Sequence, residues 1–204
     1  MFCEIYFKKT LIAQGIILDF YKEFEILEGF DKKLFTHILT FEYNSREYQS
    51  YTNFGKKIYE MKYLKNPPIE DNIRESHINS VVSIFNGYIE YLKKKVKLLN
   101  ISHIPSSSQI PEDIINKLKD INKIPFKNII TKRHSVQSKG MTSLSIQSLN
   151  KYNIDLSQLD TAYQYIIIDD VVGTGASLCE ILYSLYTYNK KVNFFFIPVK
   201  DVKR

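Results

Sequence analysis

The segment YIIIDDVVGTGASL, from Tyr165 to Leu178, is the part of this sequence that says most about its fold. Its first residues, Tyr165 to Ile168, are apolar and mostly β-branched, which is typical of a central strand buried on both faces. Asp169 and Asp170 follow directly, so two adjacent carboxylates stand at the carboxyl end of that strand. Because open α/β sheets bind ligands just beyond this edge, we expect both acids to face a crevice, free of internal ion pairs.

A small-residue turn comes next and leads into a helix; it consists of Gly173, Thr174, Gly175, Ala176 and Ser177. Glycine permits a positive φ and close backbone approach, so successive N–H groups can turn towards an anion at the positive end of the helix dipole. The carboxylates accept hydrogen bonds from paired sugar hydroxyls, so the whole segment predicts a site for a sugar 5-phosphate. The alternative reading of an acid pair before a glycine turn is a helix N-cap with a charged first turn.

Outward from this segment, strands alternate with helices. Apolar runs predict strands over 36–43, 96–104, 126–131, 165–169 and 191–199. Spacings of three and four between apolar residues predict helices over 53–65 and 73–94, from 111 onwards, and over 176–189. The pattern predicts an α/β fold with a parallel sheet and helices on both faces. We divide the chain into an N-terminal elaboration, residues 1–50, and a main domain, residues 51–204.

Length and composition fit a water-soluble globular protein. The chain has 204 residues, of which 44% are hydrophobic and 25% charged. No stretch reaches the roughly 18 consecutive apolar residues of a membrane span, and the N-terminus lacks a secretory pattern. Cys3 and Cys179 form no metal-ligand spacing, so we expect a reducing compartment, the cytoplasm, and no protein-bound metal cluster.

The charge favours an anionic partner. The formal net charge is +6 and the isoelectric point is near 9.1. All but four of the 28 basic residues are lysines, which read nucleic-acid bases less well than arginines do. A lysine-rich nucleic-acid binder therefore stays open as one hypothesis, and the sequence leaves the oligomeric state open.

The segment 165–178 closely resembles the phosphoribosyl pyrophosphate (PRPP) signature of type I phosphoribosyltransferases: hydrophobic strand, acid pair, two apolar residues and a phosphate loop. The resemblance implies the parallel-sheet fold of that superfamily. It also implies that Asp169 and Asp170 hold the ribose hydroxyls and that the loop from Gly173 to Ser177 holds the 5-phosphate. Gly173 replaces the usual first threonine of that loop.

Further segments are similar to the ComF-like branch of this superfamily. NFGKKIYEMKY (53–63) resembles its segment ending in a lysine and an aromatic residue, and ISHIPSSS (101–108) occupies the place of its pyrophosphate loop. KRHSVQSKGMTSLSIQSLNKYNID (132–155) resembles its basic flexible stretch. ComF proteins usually begin with a cysteine-rich zinc module, and this chain has none.

The resemblance implies a mechanism in which a nitrogen nucleophile displaces pyrophosphate from carbon 1 of PRPP, with Mg²⁺ bound through PRPP. The candidates for contacting the departing pyrophosphate are Ser106, Ser107 and Ser108 together with Lys132 and Arg133. The polar segment after Arg133 is expected to be a mobile lid that excludes water. Ser106 to Ser108 also suit a plain turn, and Lys132 and Arg133 also suit solvated loop charges.

Two further function classes thus stand beside nucleic-acid binding. The first is a phosphoribosyltransferase acting on a nitrogen acceptor, with pyrophosphate as the second product. The second is a non-catalytic protein that senses PRPP or a nucleoside monophosphate and is linked to DNA-uptake or other nucleic-acid machinery.

Overall fold

The computed structural model of the chain describes residues 1–26, 34–35, 38–39, 45–64, 67–133 and 151–201. The strands are β1 Phe2–Phe7, β2 Thr10–Phe20, β3 Lys22–Ile26, β4 Leu34–Phe35, β5 Ile38–Leu39, β6 Ser45–Tyr51, β7 Leu99–His103, β8 Ile130–Lys132, β9 Tyr152–Ile154, β10 Gln164–Ile168, β11 Val171–Val172 and β12 Asn193–Lys200. The helices within the described residues are α1 Asn53–Tyr63, α2 Asp71–Lys93, α3 Ile110–Asn122 and α4 Ala176–Asn189.

A mixed, mostly parallel sheet forms the centre of the fold. Its strand order is β1-β2-β12-β10-β7, and the short β11 pairs with the end of β12. β2, β12, β10 and β7 run parallel to one another, whereas β1 pairs antiparallel with β2. The α/β class is therefore confirmed. Residues 2–20 belong to the same sheet as the later strands.

The sheet buries apolar side chains on both faces because β10 and β12 are central strands. Ile166 and Ile168 of β10 pack with α1, α2 and α3 on one face. Tyr165 and Ile167 point to the other face and pack with α4. These four side chains are fully buried, as expected for a strand that is apolar throughout. Helices therefore cover both faces, as predicted.

Helix α1 begins close to β2 and is fixed there by its first turn. The Thr52 side chain caps the helix by accepting a hydrogen bond from the Gly55 amide, and its hydroxyl donates to the carbonyl of Phe20. Gly55 allows this approach, because a Cβ at that position would lie 1.9 Å from the Tyr21 carbonyl oxygen. The helix carries its last turn, with Lys62, towards the end of β10.

Most predicted elements agree with the structure, but one predicted strand differs and the strands β3, β6 and β9 were not predicted. The strand predicted over 126–131 is interrupted: Phe126 forms a parallel bridge with Ile101 of β7, and the end of the segment belongs to β8, which pairs antiparallel with β9 in a separate two-stranded sheet. The strand predicted over 36–43 lies largely outside the described residues. The hairpin of β1 and β2 was not predicted, since its side chains do not alternate simply between apolar and polar.

Both cysteines are buried and form no disulfide. None of the helices in the described part of the chain is long and apolar enough to cross a membrane.

Candidate functional site

The acid pair emerges where β10 ends. The amide of Asp169 still donates to the carbonyl of Phe196 on β12, at 3.4 Å, so the chain leaves the sheet only after this residue. β7 and β12 flank β10 and run parallel to it, so their carboxyl ends lie on either side of the acids. The acids thus occupy the sheet edge at which α/β proteins bind ligands.

Asp170 is held by groups from two other elements. The Nζ atom of Lys62, on α1, lies 2.7 Å from its Oδ2 atom, and the Ser108 hydroxyl donates to the same oxygen at 2.6 Å. Asp170 is only 2% exposed. The expectation that both acids are free of internal ion pairs is therefore wrong for Asp170, because a lysine 108 residues away in sequence folds back onto it.

Asp169 is in a different environment. It keeps part of its surface exposed although it is densely surrounded, and it forms no ion pair within the described residues. Burial, followed by the charge of the adjacent Asp170, raises the pKa of Asp169 well above its usual range. The Asp170 amide, which donates to its Oδ1 atom at 2.9 Å, and the Lys62 ammonium oppose this shift. A cation or a hydrogen-bond donor that approaches Asp169 would therefore stabilise its ionised carboxylate.

The glycine turn connects β11 to α4. Gly175 has a φ of 80°, a left-handed conformation that favours glycine, and it stands at the N-cap of α4 without any side-chain cap. The carbonyl of Gly173 accepts a hydrogen bond from the Lys200 ammonium at 2.5 Å, which ties the turn to β12. Thr174 and Ser177 are half-buried.

The amides of this turn have no protein partner among the described residues. No acceptor within the described residues takes a hydrogen bond from the N–H groups of Thr174, Gly175, Ala176, Ser177 or Leu178. The first turn of a helix leaves such donors unpaired unless a side chain or ligand accepts them, and the helix dipole favours a negative group there. The turn therefore offers an anion several donors close to the acid pair.

The strand β9 lies beside the start of α4. The amide of Tyr152 donates to Glu180 Oε1 at 2.9 Å, and the Ser177 side chain lies near the Tyr152 hydroxyl. Burial is the main cause that raises the pKa of Tyr152, and the charge of Asp169 adds to it. Tyr152 is thus near both the acid and the phosphate-loop halves of the site, although sequence reasoning did not single it out.

Lys132 and Arg133 stand at the end of β8, on the exposed side of this hairpin. The guanidinium of Arg133 donates to the side chain of Asn153, so Arg133 is held by a contact with strand β9. Lys132 lies near Lys151, whose pKa is lowered by burial first and then by the charge of Lys132. The charges of Glu180 and then Asp169 oppose that shift.

The serine turn, Ser106 to Ser108, contacts the acid pair through Ser108. Ser108 contacts Asp170, whereas Ser106 accepts a hydrogen bond from the Ser108 amide at 3.2 Å and thereby shapes the turn. Ser107 is exposed. The predicted lid after Arg133 falls mostly on residues 134–150, outside the described part of the chain, and its later residues Tyr152–Ile154 form strand β9.

Sequence reasoning missed Lys62 as a site residue. The signal for Lys62 was present, since the resemblance of 53–63 rests on a lysine followed by an aromatic residue. Among the described residues no group of three histidine, cysteine, aspartate or glutamate side chains is placed to hold a metal ion, so an ion here would need ligands from the substrate as well.

Comparisons with known proteins add no assignment. No family model matches the chain, and no curated protein matches it either.

Proposed function

We propose that this protein binds PRPP at the carboxyl edge of its sheet and transfers the phosphoribosyl group to a nitrogen acceptor, with release of pyrophosphate. The proposal is supported by three features that lie close together. They are the acid pair after β10, the amide-rich turn before α4 and the serine turn after β7. A sugar phosphate needs hydrogen-bond acceptors for its paired hydroxyls and hydrogen-bond donors for its phosphate. The acid pair supplies the acceptors, and the two turns supply the donors.

The roles follow from the chemistry of each group. Asp169 keeps part of its surface exposed and would meet the ribose hydroxyls, and the turn from Gly173 to Ser177 would receive the 5-phosphate. The Ser108 side chain and the Lys62 ammonium stand beside Asp170 and would face the pyrophosphate. Oxygen ligands such as the Asp169 carboxylate are those that Mg²⁺ prefers. When bound with PRPP, Mg²⁺ would neutralise pyrophosphate charge.

The first test is ligand stabilisation. PRPP with Mg²⁺, at about 100 times its Kd, should stabilise the fold by about 2.7 kcal/mol and raise Tm by roughly 5–10 °C. Ribose 5-phosphate and nucleoside monophosphates serve as comparison ligands, each with and without Mg²⁺. A Tm unmoved by any of these ligands contradicts the proposal.

A pyrophosphate-release assay separates the transferase from a non-catalytic sensor that uses the same pocket. With PRPP, Mg²⁺ and a panel of acceptors that includes ammonia and the common nucleobases, a transferase should release pyrophosphate in an acceptor-dependent way. Binding of PRPP without release under any acceptor favours the sensor.

A nucleic-acid partner is the second candidate, and lysines at the opposite edge of the sheet favour it. The starts of β7, β10 and β12 are adjacent there, since Gln164 bonds to the carbonyls of Leu98 and Val192. The ends of α2 and α3 meet at the same edge, where Lys93 contacts Asn122. Exposed lysines surround these ends: Lys93, Lys94, Lys95, Lys97, Lys123 and Lys190.

Exposed tyrosines accompany these lysines. Tyr91 is 48% exposed and Tyr188 is 47% exposed, and single strands bind where bases stack on aromatic rings beside positive charge. Binding of a single-stranded oligonucleotide should weaken steeply with salt and be unaffected by Asp169→Asn. Salt-independent binding, or no binding at low salt, removes this candidate.

A further inference from the structure

Lys62 is the cation nearest the acid pair in the described structure, and its position is well defined. It lies in the last turn of α1, its side chain is 18% exposed, and its Nζ atom lies 2.7 Å from Asp170 Oδ2. The carboxylate that it contacts is 3% exposed. The pair is therefore largely shielded from water, so an ammonium displaced from Asp170 needs another anionic partner close by.

The atom that Lys62 contacts is also contacted from the serine turn. The Ser108 hydroxyl donates to the same Oδ2 atom at 2.6 Å, so Ser108 Oγ and Lys62 Nζ are near neighbours. Both donors reach Asp170 from the face of the sheet covered by α1 and α3. An anion bound at the serine turn would thus lie within reach of the Lys62 ammonium.

The Oδ2 atom of Asp170 is thus already contacted by two donors when a sugar diol approaches. A hydroxyl that approaches Asp170 at Oδ2 competes with the ammonium and the serine hydroxyl for that oxygen. If the ammonium leaves without a new partner, a shielded charge remains unpaired, which opposes binding. If the ligand brings its own anion to the serine turn, the ammonium exchanges one negative partner for another.

From this exchange we propose that Lys62 is a specificity-determining residue that favours a sugar phosphate carrying a pyrophosphate at carbon 1 over the same sugar with a hydroxyl there. The inference rests on the proposed function, because it assumes that the sugar binds at the acid pair. In the ligand-free protein Lys62 holds Asp170. When PRPP binds, the ammonium moves to the pyrophosphate and the Asp170 carboxylate becomes available to the ribose. Ribose 5-phosphate offers no such partner and is therefore disfavoured.

The test compares two ligands across a set of lysine variants. Isothermal titration calorimetry with Mg²⁺ gives Kd for PRPP and for ribose 5-phosphate, and the ratio of the two is the readout. In Lys62→Met the preference for PRPP should fall at least tenfold relative to wild type, because the variant has no ammonium at this position to bind the pyrophosphate. Lys62→Arg keeps the charge and should restore most of the preference.

Lys56→Met is the matched control, since Lys56 lies on the same helix with a side chain that is 70% exposed, paired only with Glu60 at 3.9 Å among the described residues. Its preference for PRPP should equal that of wild type. Lys62→Gln is the second variant; it retains a donor for Asp170 and should also lose the preference, even if Lys62→Met does not fold.

The outcomes separate this inference from the proposed function. If wild-type protein binds neither ligand, the proposed function fails. If wild type binds PRPP but Lys62→Met and Lys62→Gln change both affinities by the same factor or not at all, the proposed function stands. The Lys62–Asp170 pair is then purely structural, and this inference is overturned.

Discussion

Asp169 and Asp170 are adjacent in sequence but differ in what they contribute to stability. Asp170 is paired with Lys62, so its charge is compensated. Asp169 is densely surrounded beside a second carboxylate, and its pKa is raised for that reason. A carboxyl group whose folded-state pKa is raised binds protons more readily in the folded state than in the unfolded state, so its ionisation opposes folding.

We therefore predict opposite effects on stability for the two single substitutions at neutral pH. Asp169→Asn should raise the free energy of unfolding, because it removes an unfavourable charge. Asp170→Asn should lower it by about 3 kcal/mol, because the shielded Lys62 ammonium loses its partner. Urea unfolding of both variants beside wild type measures the difference, with the exposed Asp120→Asn as a control that should change little.

The effect of Asp169→Asn on stability should depend on pH. Below about pH 4, the ordinary pKa of aspartate, the carboxyl is protonated in both states, so Asp169→Asn should bring no advantage. The advantage should grow as pH rises from the ordinary pKa towards the raised folded-state pKa and then level off. An advantage that is greatest at low pH contradicts the environment described for Asp169.

At the level of elements, α1 determines where Lys62 stands. Its first turn is pressed against the chain after β2, and its last turn ends at Asp170. Any displacement of the first turn is thus transmitted along a rigid helix to the ion pair. Gly55 is the residue that permits the close approach.

Gly55→Ala should therefore destabilise the protein by about 2 kcal/mol or more, since the new methyl group would meet the backbone carbonyl of Tyr21 and the Thr52 side chain. Gly87→Ala is the matched control. Gly87 lies inside α2, where an added methyl group would meet open space, so alanine there should stabilise by about 0.5–1 kcal/mol through helix propensity. Equal effects of the two substitutions in urea unfolding would contradict this account of α1.

The elements that sequence predicts well are those whose signal is local. Helix α4 agrees with its predicted bounds, and β10 is apolar at every buried position, so each is specified by its own residues. β8 and the β1–β2 hairpin depend instead on which strand becomes their neighbour. β8 is only three residues long and pairs with β9 across residues 134–150, a partnership that periodicity does not encode.

At the level of the whole molecule, the candidate site is assembled from distant parts of the chain. The acid pair and the glycine turn were identified from one continuous segment because strand, acids, turn and helix follow each other in sequence. Lys62 was not assigned a role because its contact with Asp170 spans 108 residues and exists only once α1 packs on the sheet. The same folding that brings the three features together also leaves Asp169 as the one acid of the pair without an ion pair among the described residues.

A calorimetric titration of Asp169→Asn with PRPP and Mg²⁺ beside wild type tests whether the acids at the end of β10 bind the sugar. We predict that wild type binds and that the variant binds at least about tenfold more weakly, since it loses a charged hydrogen-bond acceptor for the ribose. The variant should at the same time be the more stable protein, so misfolding does not account for the loss. Undiminished affinity for PRPP in Asp169→Asn would contradict the claim that the acids at the end of β10 bind the sugar.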